Sequence, residues 1–544
     1  MIYECKESNK FWLYETVDNL LDYIKDYPEE LKNPVTCAAG MTPSAPIHFG
    51  ILREIAISSF VAEELKKRKI PVRLVYYWDD YDHFCKIPYF KKKEEIADLI
   101  GRKLGSVPDL YGNYSSYGEH IMRDFEKVLS KCGFFPEYDY QSKSYDSGKY
   151  EKYMKKAMSE RLKIFDIINE KKQPYTEEVK QEREKYYPFE VYCSKCGTDK
   201  AIVTNYNSET GVINYKCKNC GNESSYIIGK NFEGKLVWKI NWAMRWKDDS
   251  VCYESSGENQ LTDTGSYSVS SRIVTEIFNG RVPFSLLYRF IGAPGLAKVS
   301  RAQGEASLAN KFSDVLEPAI IRWLLIKNPP QKQFTVDINN GIFRLYNEWD
   351  KFEEKILLGE NCTDLDKEIY RISCSNIKKS EITVGFKKLT TVLAVANNNI
   401  DLAIEMLYHI EHFDCSKAEL KEKIMPRLEC ASAWLYKYGN IQQEPKLADK
   451  FNGDAFSSFS DEIKFCLNEL VYNLSDTFNE NDYTDILYTI PKLLENDSEK
   501  VKLLQKDFFT ALYKLLFGTD RGPKLGILLG LIDIKTLEKL IKGE

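Results

Sequence analysis

Four of the 14 cysteines have the spacing of a metal site. They form two C-x-x-C pairs, Cys193 with Cys196 and Cys217 with Cys220. Each pair allows two thiolates to bind one ion from a tight turn, and two such pairs complete a tetrahedron. We therefore predict a Zn²⁺ site, with a structural role because four protein ligands leave no coordination position open. The alternative is two unrelated pairs of free thiols.

The segment from Met41 to Gly50, MTPSAPIHFG, is a candidate phosphate-binding loop between a predicted strand and a predicted helix. The first backbone N–H groups of a helix have no partner within it, and the helix dipole favours an anion there. His48 can donate to a phosphate oxygen, and Gly50 allows a flat ring to approach the backbone. Taken alone the signal is weak, because a single histidine beside a turn is more often structural.

A second candidate loop, GAPGLAKVSRAQG, runs from Gly292 to Gly304. It is rich in glycine and proline and carries two cations, Lys298 and Arg301. Such a loop can hold a polyphosphate while negative charge develops on it. The alternative is an ordinary basic loop.

The elements around the first loop read as a β-α-β unit. The apolar run PVTCAAG (34–40) predicts a strand, ILREIAISSFVAEELKKR (51–68) has helical spacing with basic residues in its last turn, and PVRLVYYW (71–78) predicts another strand. Two carboxylates, Asp79 and Asp80, follow directly. This order implies a parallel sheet whose ligand crevice lies at the carboxyl ends of its strands.

The rest of the chain divides into three patterns. The segment 189–228 is short and polar and contains the two cysteine pairs, as expected of an insertion. A sheet pattern resumes near LVWKINWAMRW (236–246). From about residue 305 the periodicity is helical, so the main boundary falls between about 300 and 345. Aromatic residues of the helical part are candidates for stacking on unpaired bases, although most are expected in the core: Trp349, Tyr408, Trp434, Tyr436 and Tyr438.

Composition limits the class of protein. The 544 residues include 76 Lys plus Arg and 81 Asp plus Glu, a net charge of -5. This balance argues against non-specific coating of nucleic acid but leaves room for one basic face that docks a single RNA. The scattered remaining cysteines indicate a reducing compartment. No membrane-spanning run and no basic, apolar leader are seen, so we expect a cytoplasmic protein.

Together these segments resemble the class I lysyl-tRNA synthetases nearly end to end. CAAGMTPSAPIHFGILREI (37–55) is similar to that family's version of the HIGH signature, and KVSRAQG (298–304) to its KMSKS-type loop. The two cysteine pairs fall at its zinc insertion. Other blocks match in the same order: WDDYD (78–82), KIP (86–88), SVPDLYGNYSSYGEHI (106–121), SYDSGKYEKYM (144–154), KLVWKINWAMRW (235–246), TDTGSYSVSSRIVTEIF (262–278) and DFFTALYKLLFGTDRGPKLGILLGLI (507–532).

The resemblance implies an α/β Rossmann-like (HUP) catalytic domain with a zinc-knuckle insertion, followed by an all-α C-terminal domain. The implied limits are 1–300 for the catalytic domain, with the insertion at 185–228, then a connecting region at 301–345 and an anticodon-binding domain at 346–544. The implied reaction activates lysine with ATP and Mg²⁺ and then transfers it to the lysine tRNA. A monomer is expected.

The resemblance also implies roles for particular residues. The catalytic set is His48, Lys298, Ser300 and Arg301, with Arg301 standing in for a second lysine. The expected ATP-binding residues are Thr42, Pro43, Ser44, His48, Gly50 and Lys298, and the expected amino-acid-binding residues are Gly40, Thr42, Asp79, Trp238, Gln260 and Tyr267.

The sequence departs from the family pattern near this site. Ala45, Asn241 and Gln303 replace a glycine, an aspartate and a lysine, and Asn259-Gln260 replaces an Asp-His pair. With less charge facing a lysine ammonium, two alternatives stay open. One is a paralogue that adenylates lysine or a similar amino acid for another acceptor, and the other is a non-catalytic tRNA-binding regulator. A zinc-ribbon protein without activity does not explain the β-α-β unit or the two phosphate loops.

Overall fold

The computed structural model describes residues 2–3, 11–27, 34–88, 91–170, 176–292, 309–396, 398–411, 413–439, 447–475, 478, 480–522 and 524–543. The chain forms two compact units. The first comprises Met1–Ser313, Pro318–Asp337 and Asn361–Ile377, and the second comprises Asp314–Glu317, Ile338–Glu360 and Lys378–Glu544. The functional domains inferred from the sequence, at 1–300, 301–345 and 346–544, stay predictions.

The strands in the described part of the chain lie in the first unit. They are β1 (Ile2–Tyr3), β2 (Val35–Met41), β3 (Val72–Trp78), β4 (Glu137–Tyr140), β5 (Phe189–Val191), β6 (Ala201–Asn207), β7 (Val212–Cys217), β8 (Glu223–Ile227), β9 (Gly234–Leu236), β10 (Val251–Glu254), β11 (Ser256–Gly257), β12 (Ser285–Tyr288), β13 (Ile291–Gly292) and β14 (Phe334–Thr335).

A parallel sheet with the order β10-β2-β3-β4 forms the centre of the first unit. β2 pairs with β3 from Val35 opposite Val72 to Met41 opposite Trp78, which confirms the β-α-β unit. Gly40 is required by this pairing, because a Cβ atom there would lie 2.6 Å from the Tyr77 carbonyl oxygen. The remaining parallel strands form the sheets β1-β12-β11 and β13-β14.

The helices follow the amphipathic segments of the sequence, and none in the described ranges is long and apolar enough to cross a membrane. They are α1 (Trp12–Lys25), α2 (Leu52–Lys67), α3 (Tyr117–Lys131), α4 (Gln141–Asp146), α5 (Glu151–Ser159), α6 (Arg161–Asn169), α7 (Glu177–Glu184), α8 (Trp238–Asp248), α9 (Ser266–Glu276), α10 (Ala309–Val315), α11 (Pro318–Lys327), α12 (Ile342–Leu358), α13 (Asp364–Ser373), α14 (Phe386–Val395), α15 (Ile400–Ile410), α16 (Lys417–Lys423), α17 (Arg427–Tyr438), α18 (Gly453–Ser457), α19 (Asp461–Tyr472), α20 (Glu480–Thr489), α21 (Ser498–Phe517), α22 (Leu525–Leu531) and α23 (Ile534–Lys542).

Helix α2 is the crossover between β2 and β3. Its apolar face is buried against these two strands. Lys66 and Lys67 lie in its last turn, where the helix dipole stabilises positive charge. The Ser58 hydroxyl donates to the Ala38 carbonyl (2.9 Å) and ties the helix to β2. A one-turn helix, Phe49–Ile51, precedes α2 and carries the end of the candidate phosphate loop.

The predicted insertion is an antiparallel sheet with the order β8-β7-β6-β5-β9, from Phe189 to Leu236. The strand pattern expected near LVWKINWAMRW is wrong for most of that segment, because β9 ends at Leu236 and helix α8 begins at Trp238. The large apolar residues that suggested a strand are instead tryptophans four positions apart, which lie on one face of a helix.

Helix α13 belongs to the first unit although it is distant in sequence. The buried Arg322 of α11 donates to the carbonyl oxygens of Ile372 (3.0 Å) and Cys132 (3.2 Å) and pairs with Glu63 (2.8 Å). One guanidinium therefore joins α13 to two other parts of the unit.

The second unit is helical, and the core of its later part lies among α19 to α23. Arg427 of α17 is buried, as is the Glu317 carboxylate, to which it donates (2.5 Å). Arg427 also donates to Asp350 (2.7 Å) and to the Val384 carbonyl (3.2 Å). Two carboxylates and a carbonyl therefore balance this buried cation.

Candidate functional site

The candidate phosphate loop leaves the carboxyl end of β2 and leads into α2. His48 is buried and stands at the start of the one-turn helix with extended backbone (φ −83°, ψ 155°). A Cβ atom on Gly50 would lie 3.1 Å from Nδ1 of His48. The flat ring that needs glycine at position 50 is therefore that of His48 itself. Pro43 and Ser44 are also buried in this loop.

Thr42 begins the same loop and contacts the segment that follows β3. Its hydroxyl donates to Oδ2 of Asp82 (3.2 Å). Asp82 Oδ1 also accepts from the backbone N–H of His83 (3.0 Å) and lies 3.3 Å from the Lys235 ammonium. The hydroxyl predicted to touch both substrates is thus fixed by Asp82, a carboxylate of the WDDYD block to which the resemblance assigned no role.

Asp79, predicted to bind the amino acid, is buried beside a cation of the protein. Arg245 of α8 donates to its Oδ1 (3.2 Å), and the guanidinium lies over the rings of Tyr77 (4.7 Å) and Trp238 (5.2 Å). Both charges are nearly without solvent contact, with side-chain exposures of 1% and 3%. A substrate ammonium in this place would therefore meet a carboxylate that is already paired.

Asn241, which departs from the family pattern, is part of the same buried network. Its Nδ2 lies 3.4 Å from Asp79 Oδ1, and its Oδ1 accepts from the Tyr145 hydroxyl (2.6 Å). The Tyr145 oxygen in turn accepts from the Leu236 backbone N–H (3.0 Å). The amide is thus hydrogen-bonded at both ends, which is the condition for burying a neutral polar group without a large cost.

A tryptophan stack forms the wall behind this network. Trp238 stacks on Trp242 at 5.1 Å between ring centroids, and Trp242 lies 4.8 Å from Trp246. The indole N–H groups of Trp242 (3.0 Å) and Trp246 (2.6 Å) both donate to Oε2 of the buried Glu254. Burial raises the pKa of Glu254, while these indoles and Arg245 oppose that effect.

Tyr267 and Gln260 are engaged by the protein backbone. The Tyr267 ring is buried near Trp242 and Trp246, and its hydroxyl donates to the Pro283 carbonyl (2.8 Å). Gln260 Oε1 accepts from the Gly257 N–H (3.0 Å) and closes a short helical turn. Both residues therefore shape the site through the backbone around it.

Glu54 of α2 is a further carboxylate near the carboxyl end of β2, and the sequence analysis gave it no role. The Tyr288 hydroxyl donates to it (2.7 Å), and the Gly40 N–H lies 3.4 Å away. Burial raises the pKa of Glu54 to about 7, and Glu254 raises it further, while the Tyr288 hydrogen bond opposes the rise. Near neutral pH the Glu54 carboxyl is therefore poised between its two protonation states.

This raised pKa predicts a pH effect on stability. Between the ordinary carboxyl pKa and about 7 the folded state binds a proton that the unfolded state has lost. The stability that Glu54 contributes is therefore full below its ordinary pKa and is lost as the pH rises to about 7. Glutamine does not titrate, so the stability of Glu54→Gln should not show this loss. Its free energy of unfolding relative to wild type should therefore increase by roughly 1–3 kcal/mol as the pH is raised from about 5 to about 8. Urea unfolding at several pH values measures this difference. The exposed Glu178→Gln is the control, and equal pH dependence of both variants would contradict the assignment.

The four cysteines of the knuckle converge on one point. Their sulfur atoms all lie within 4.8 Å of one another, with 3.6 Å between Cys193 and Cys220 and 3.7 Å between Cys196 and Cys217. Four zinc–sulfur bonds of about 2.3 Å in a tetrahedron would place the sulfurs roughly 3.8 Å apart. The cluster therefore has the dimensions of a four-thiolate zinc site.

The hydrogen bonds around Cys196 favour its thiolate form. Burial raises the pKa of the Cys196 thiol, but hydrogen bonds from the Thr198 side chain and backbone and from Asn219 outweigh it and lower the pKa to about 6. Thiolates are the form that binds metal. Gly197 and Gly221 each follow a second cysteine with φ of +71°, a conformation that glycine adopts without strain.

Several predicted residues lie outside the described residues. They are Lys298, Ser300 and Arg301 of the second loop, together with Gln303. The structure adds residues to which the sequence analysis assigned no role: Glu54, Asp82, Lys235, Arg245 and Glu254. The signal available for most of them was a charged residue inside a strongly apolar segment, as with Glu254 after VCY and Arg245 between Met244 and Trp246.

A parallel sheet with a loop-and-helix start at its carboxyl edge, an inserted four-thiolate knuckle and a separate helical unit together define the architecture of a class I aminoacyl-tRNA synthetase. A family model described as "tRNA synthetases class I (K)" matches residues 10–376. The chain belongs to this family.

Relatives match over nearly the whole chain. A lysine--tRNA ligase of Borreliella burgdorferi is 30% identical over 518 residues, covering 94% of this chain and 95% of the relative. A lysine--tRNA ligase of Pyrococcus horikoshii is 29% identical, with coverages of 94% and 96%. That of Treponema pallidum is 28% identical, with coverages of 93% and 94%.

Proposed function

We propose that this protein is a lysine--tRNA ligase that adenylates lysine with ATP and transfers it to the terminal ribose of a tRNA. The observation that carries the proposal is the family match over residues 10–376, extended by lysine--tRNA ligases that align with 93–94% of the chain. The reaction needs no covalent enzyme intermediate, so catalysis rests on positioning the substrates and on stabilising charge.

In the proposed first step, ATP enters with Mg²⁺ and its phosphates lie over the loop from Thr42 to Gly50. His48, at the start of the helical turn that leads into α2, donates to a phosphate oxygen. Pro43, Ser44 and the helix N-terminus shape the loop around the phosphates. Lys298, Ser300 and Arg301, which lie outside the described residues, stabilise the pyrophosphate as it leaves.

The proposed lysine site lies between the loop and the tryptophan stack, with Gly40, Thr42, Asp79 and Trp238 around it. Gln260 and Tyr267 hold the surrounding backbone. Because Asp79 pairs with Arg245, its negative charge is partly neutralised before lysine enters. We therefore propose that hydrogen-bond acceptors, and not one strong ion pair, select the lysine ammonium groups.

We propose that the helical unit contacts the anticodon end of the tRNA. Among the aromatic side chains in the described part of this unit, Tyr472 (83% exposed) and Tyr436 (75% exposed) have the largest exposed fractions and offer faces for unpaired bases. Trp349, in contrast, is buried, and the Trp434 indole donates to the Ile338 carbonyl (2.8 Å). Tyr436 and Tyr472 are therefore the proposed stacking residues, and RNA affinity should fall with added salt.

The test of this function is amino-acid-dependent exchange of labelled pyrophosphate into ATP, run with each of the twenty amino acids, with and without tRNA. We expect exchange with lysine and with none of the other nineteen amino acids. Exchange with a different amino acid would show that the departures at Asn241, Asn259 and Gln260 have redirected specificity. No exchange with any amino acid would favour a non-catalytic RNA-binding role.

We further propose that one Zn²⁺ per chain is bound by Cys193, Cys196, Cys217 and Cys220. Elemental analysis of the purified protein should give about one zinc per chain. Cys217→Ser should lose the metal and lower the melting temperature, because metal binding contributes directly to folding of such a site. Cys415→Ser, in the second unit, should keep both properties. Wild-type protein without stoichiometric zinc would contradict the proposal.

A further inference from the structure

The Thr42 hydroxyl has a fixed direction in the proposed lysine site. It donates its hydrogen to Asp82 Oδ2 (3.2 Å). A hydroxyl has one hydrogen to donate and two lone pairs that accept. With the hydrogen directed to Asp82, the oxygen presents only acceptor capacity to a ligand. That is the capacity needed to bind an ammonium group.

Asp82 is held in place by a buried lysine. The Lys235 ammonium lies 3.3 Å from Asp82 Oδ1 and 3.6 Å from Glu190 Oε2, and its side chain is 4% exposed. Burial opposes the charge on Lys235, but Asp82 and Glu190 outweigh it and raise the pKa of Lys235. Burial likewise opposes the charge on Asp82, but hydrogen bonds from His83 and the Lys235 ammonium hold the pKa of Asp82 well below its ordinary value. The pair is therefore charged at neutral pH.

Lys235 and Glu190 both come from the sheet that carries the cysteines. They are directly paired across the antiparallel strands β5 and β9. A second connection runs through His83, whose Nε2 lies 3.7 Å from Asp199, three residues after Cys196. The insertion therefore places an ammonium beside the carboxylate that orients Thr42.

A metal ion is a weaker explanation of the same cluster. One ligand atom each from Asp82, His83 and Glu190 lies within 4.8 Å of the others, as in a cation site. However, the Lys235 ammonium already lies within ion-pair distance of both carboxylates. The protein thus supplies the cation that this cluster requires.

We propose that Lys235 is a positioning residue for the amino-acid site: through Asp82 it fixes the Thr42 hydroxyl as an acceptor for an ammonium group of the substrate. The inference rests on the proposed lysine activation and deepens it. It also gives the insertion a part in substrate binding, because the sheet built around the thiolates sets the position of Lys235.

The test is a double-mutant cycle in lysine-dependent pyrophosphate exchange, using the full chain. Lys235→Met should raise KM for lysine roughly 5- to 10-fold, the equivalent of about one hydrogen bond, with KM for ATP changed less than about 2-fold. Thr42→Val should raise KM for lysine by a similar factor. In the Thr42→Val background, Lys235→Met should add less than about 2-fold, because both changes remove one interaction.

Two further variants keep the cycle interpretable. Lys235→Met leaves buried carboxylates without their cation and can fail to fold. The pair Lys235→Met with Glu190→Gln removes one charge of each sign and then takes its place in the cycle. Lys216→Met is the control on the same sheet, since its surface pair with Glu223 lies far out in solvent. It should leave both KM values unchanged.

Two lysine analogues identify which ammonium is bound. Norleucine lacks the ε-ammonium and 6-aminohexanoate lacks the α-ammonium. In Lys235→Met, the inhibition constant should rise for one of them only, the one that retains the contacted group. No rise for either, or an equal rise for both, overturns the proposal, as do multiplicative KM effects in the cycle. Absence of lysine-dependent exchange in wild-type protein would instead contradict the proposed function.

Discussion

Replacing His48 by alanine should lower the rate of lysine adenylation roughly 10²- to 10³-fold, the usual cost of removing one donor that stabilises a transition state. His48 is held in place by the turn before α2, where Gly50 allows its ring to lie against the backbone. Because the contact is proposed to form with ATP phosphate, KM for lysine should change far less. Single-turnover formation of the adenylate measures the step directly.

The conservative variant His48→Asn, which keeps an N–H donor, should retain more activity than His48→Ala. Unchanged melting temperatures would exclude a folding effect in either protein. Full turnover by His48→Ala would show that the role assigned to His48 is wrong. Lys298→Ala carries the same expected loss, on the basis of its sequence motif.

The second large effect concerns stability. Arg427→Met should lower the free energy of unfolding of the helical unit by about 3–5 kcal/mol, because it leaves the buried Glu317 carboxylate without its cation. The Glu317 carboxylate would keep the Ser380 hydroxyl as a donor (2.9 Å), which offsets only part of the cost. Chemical denaturation followed by circular dichroism measures the difference.

Arg344→Met is the matched control for this change. Arg344 lies in the same unit but is 82% exposed and 3.6 Å from Glu348. Its removal should change stability by less than about 0.5 kcal/mol. A loss of under about 1 kcal/mol in Arg427→Met would contradict the view that this buried ion network holds the helices together.

Local patterns in the sequence were sufficient for the elements whose signals are contiguous. The apolar runs and the helical spacing between 34 and 78 predicted β2, α2 and β3, and the structure confirms their parallel pairing. The cysteine spacing predicted a cluster, and the sulfur distances agree with it. In both cases the residues that specify the feature are close together in the chain or share one simple spacing rule.

The buried charges could not be found in the same way. Arg245 meets Asp79 across 166 positions of sequence, and the contact exists only because α8 packs beside the end of β3. Helix α8 was itself missed, because tryptophan, valine and isoleucine favour strands in isolation. In the structure α8 is packed against its surroundings, and two of its indole N–H groups donate to the buried Glu254.

The departures from the family pattern also change meaning in the structure. Loss of a carboxylate at Asn241 suggested weaker attraction for lysine, yet the amide is hydrogen-bonded to Asp79 and Tyr145 in a closed network. Gln260 holds the Gly257 backbone. These side chains are therefore integrated in the fold of the site, which is consistent with adaptation of the site and not with simple decay.

The most direct test of the central claim is ATP-dependent attachment of labelled lysine to tRNA by the full-length protein. We predict that lysine becomes linked to the terminal ribose of the lysine tRNA and that none of the other nineteen amino acids does. Lysine-dependent pyrophosphate exchange without any transfer to tRNA, or attachment of a different amino acid, would contradict it.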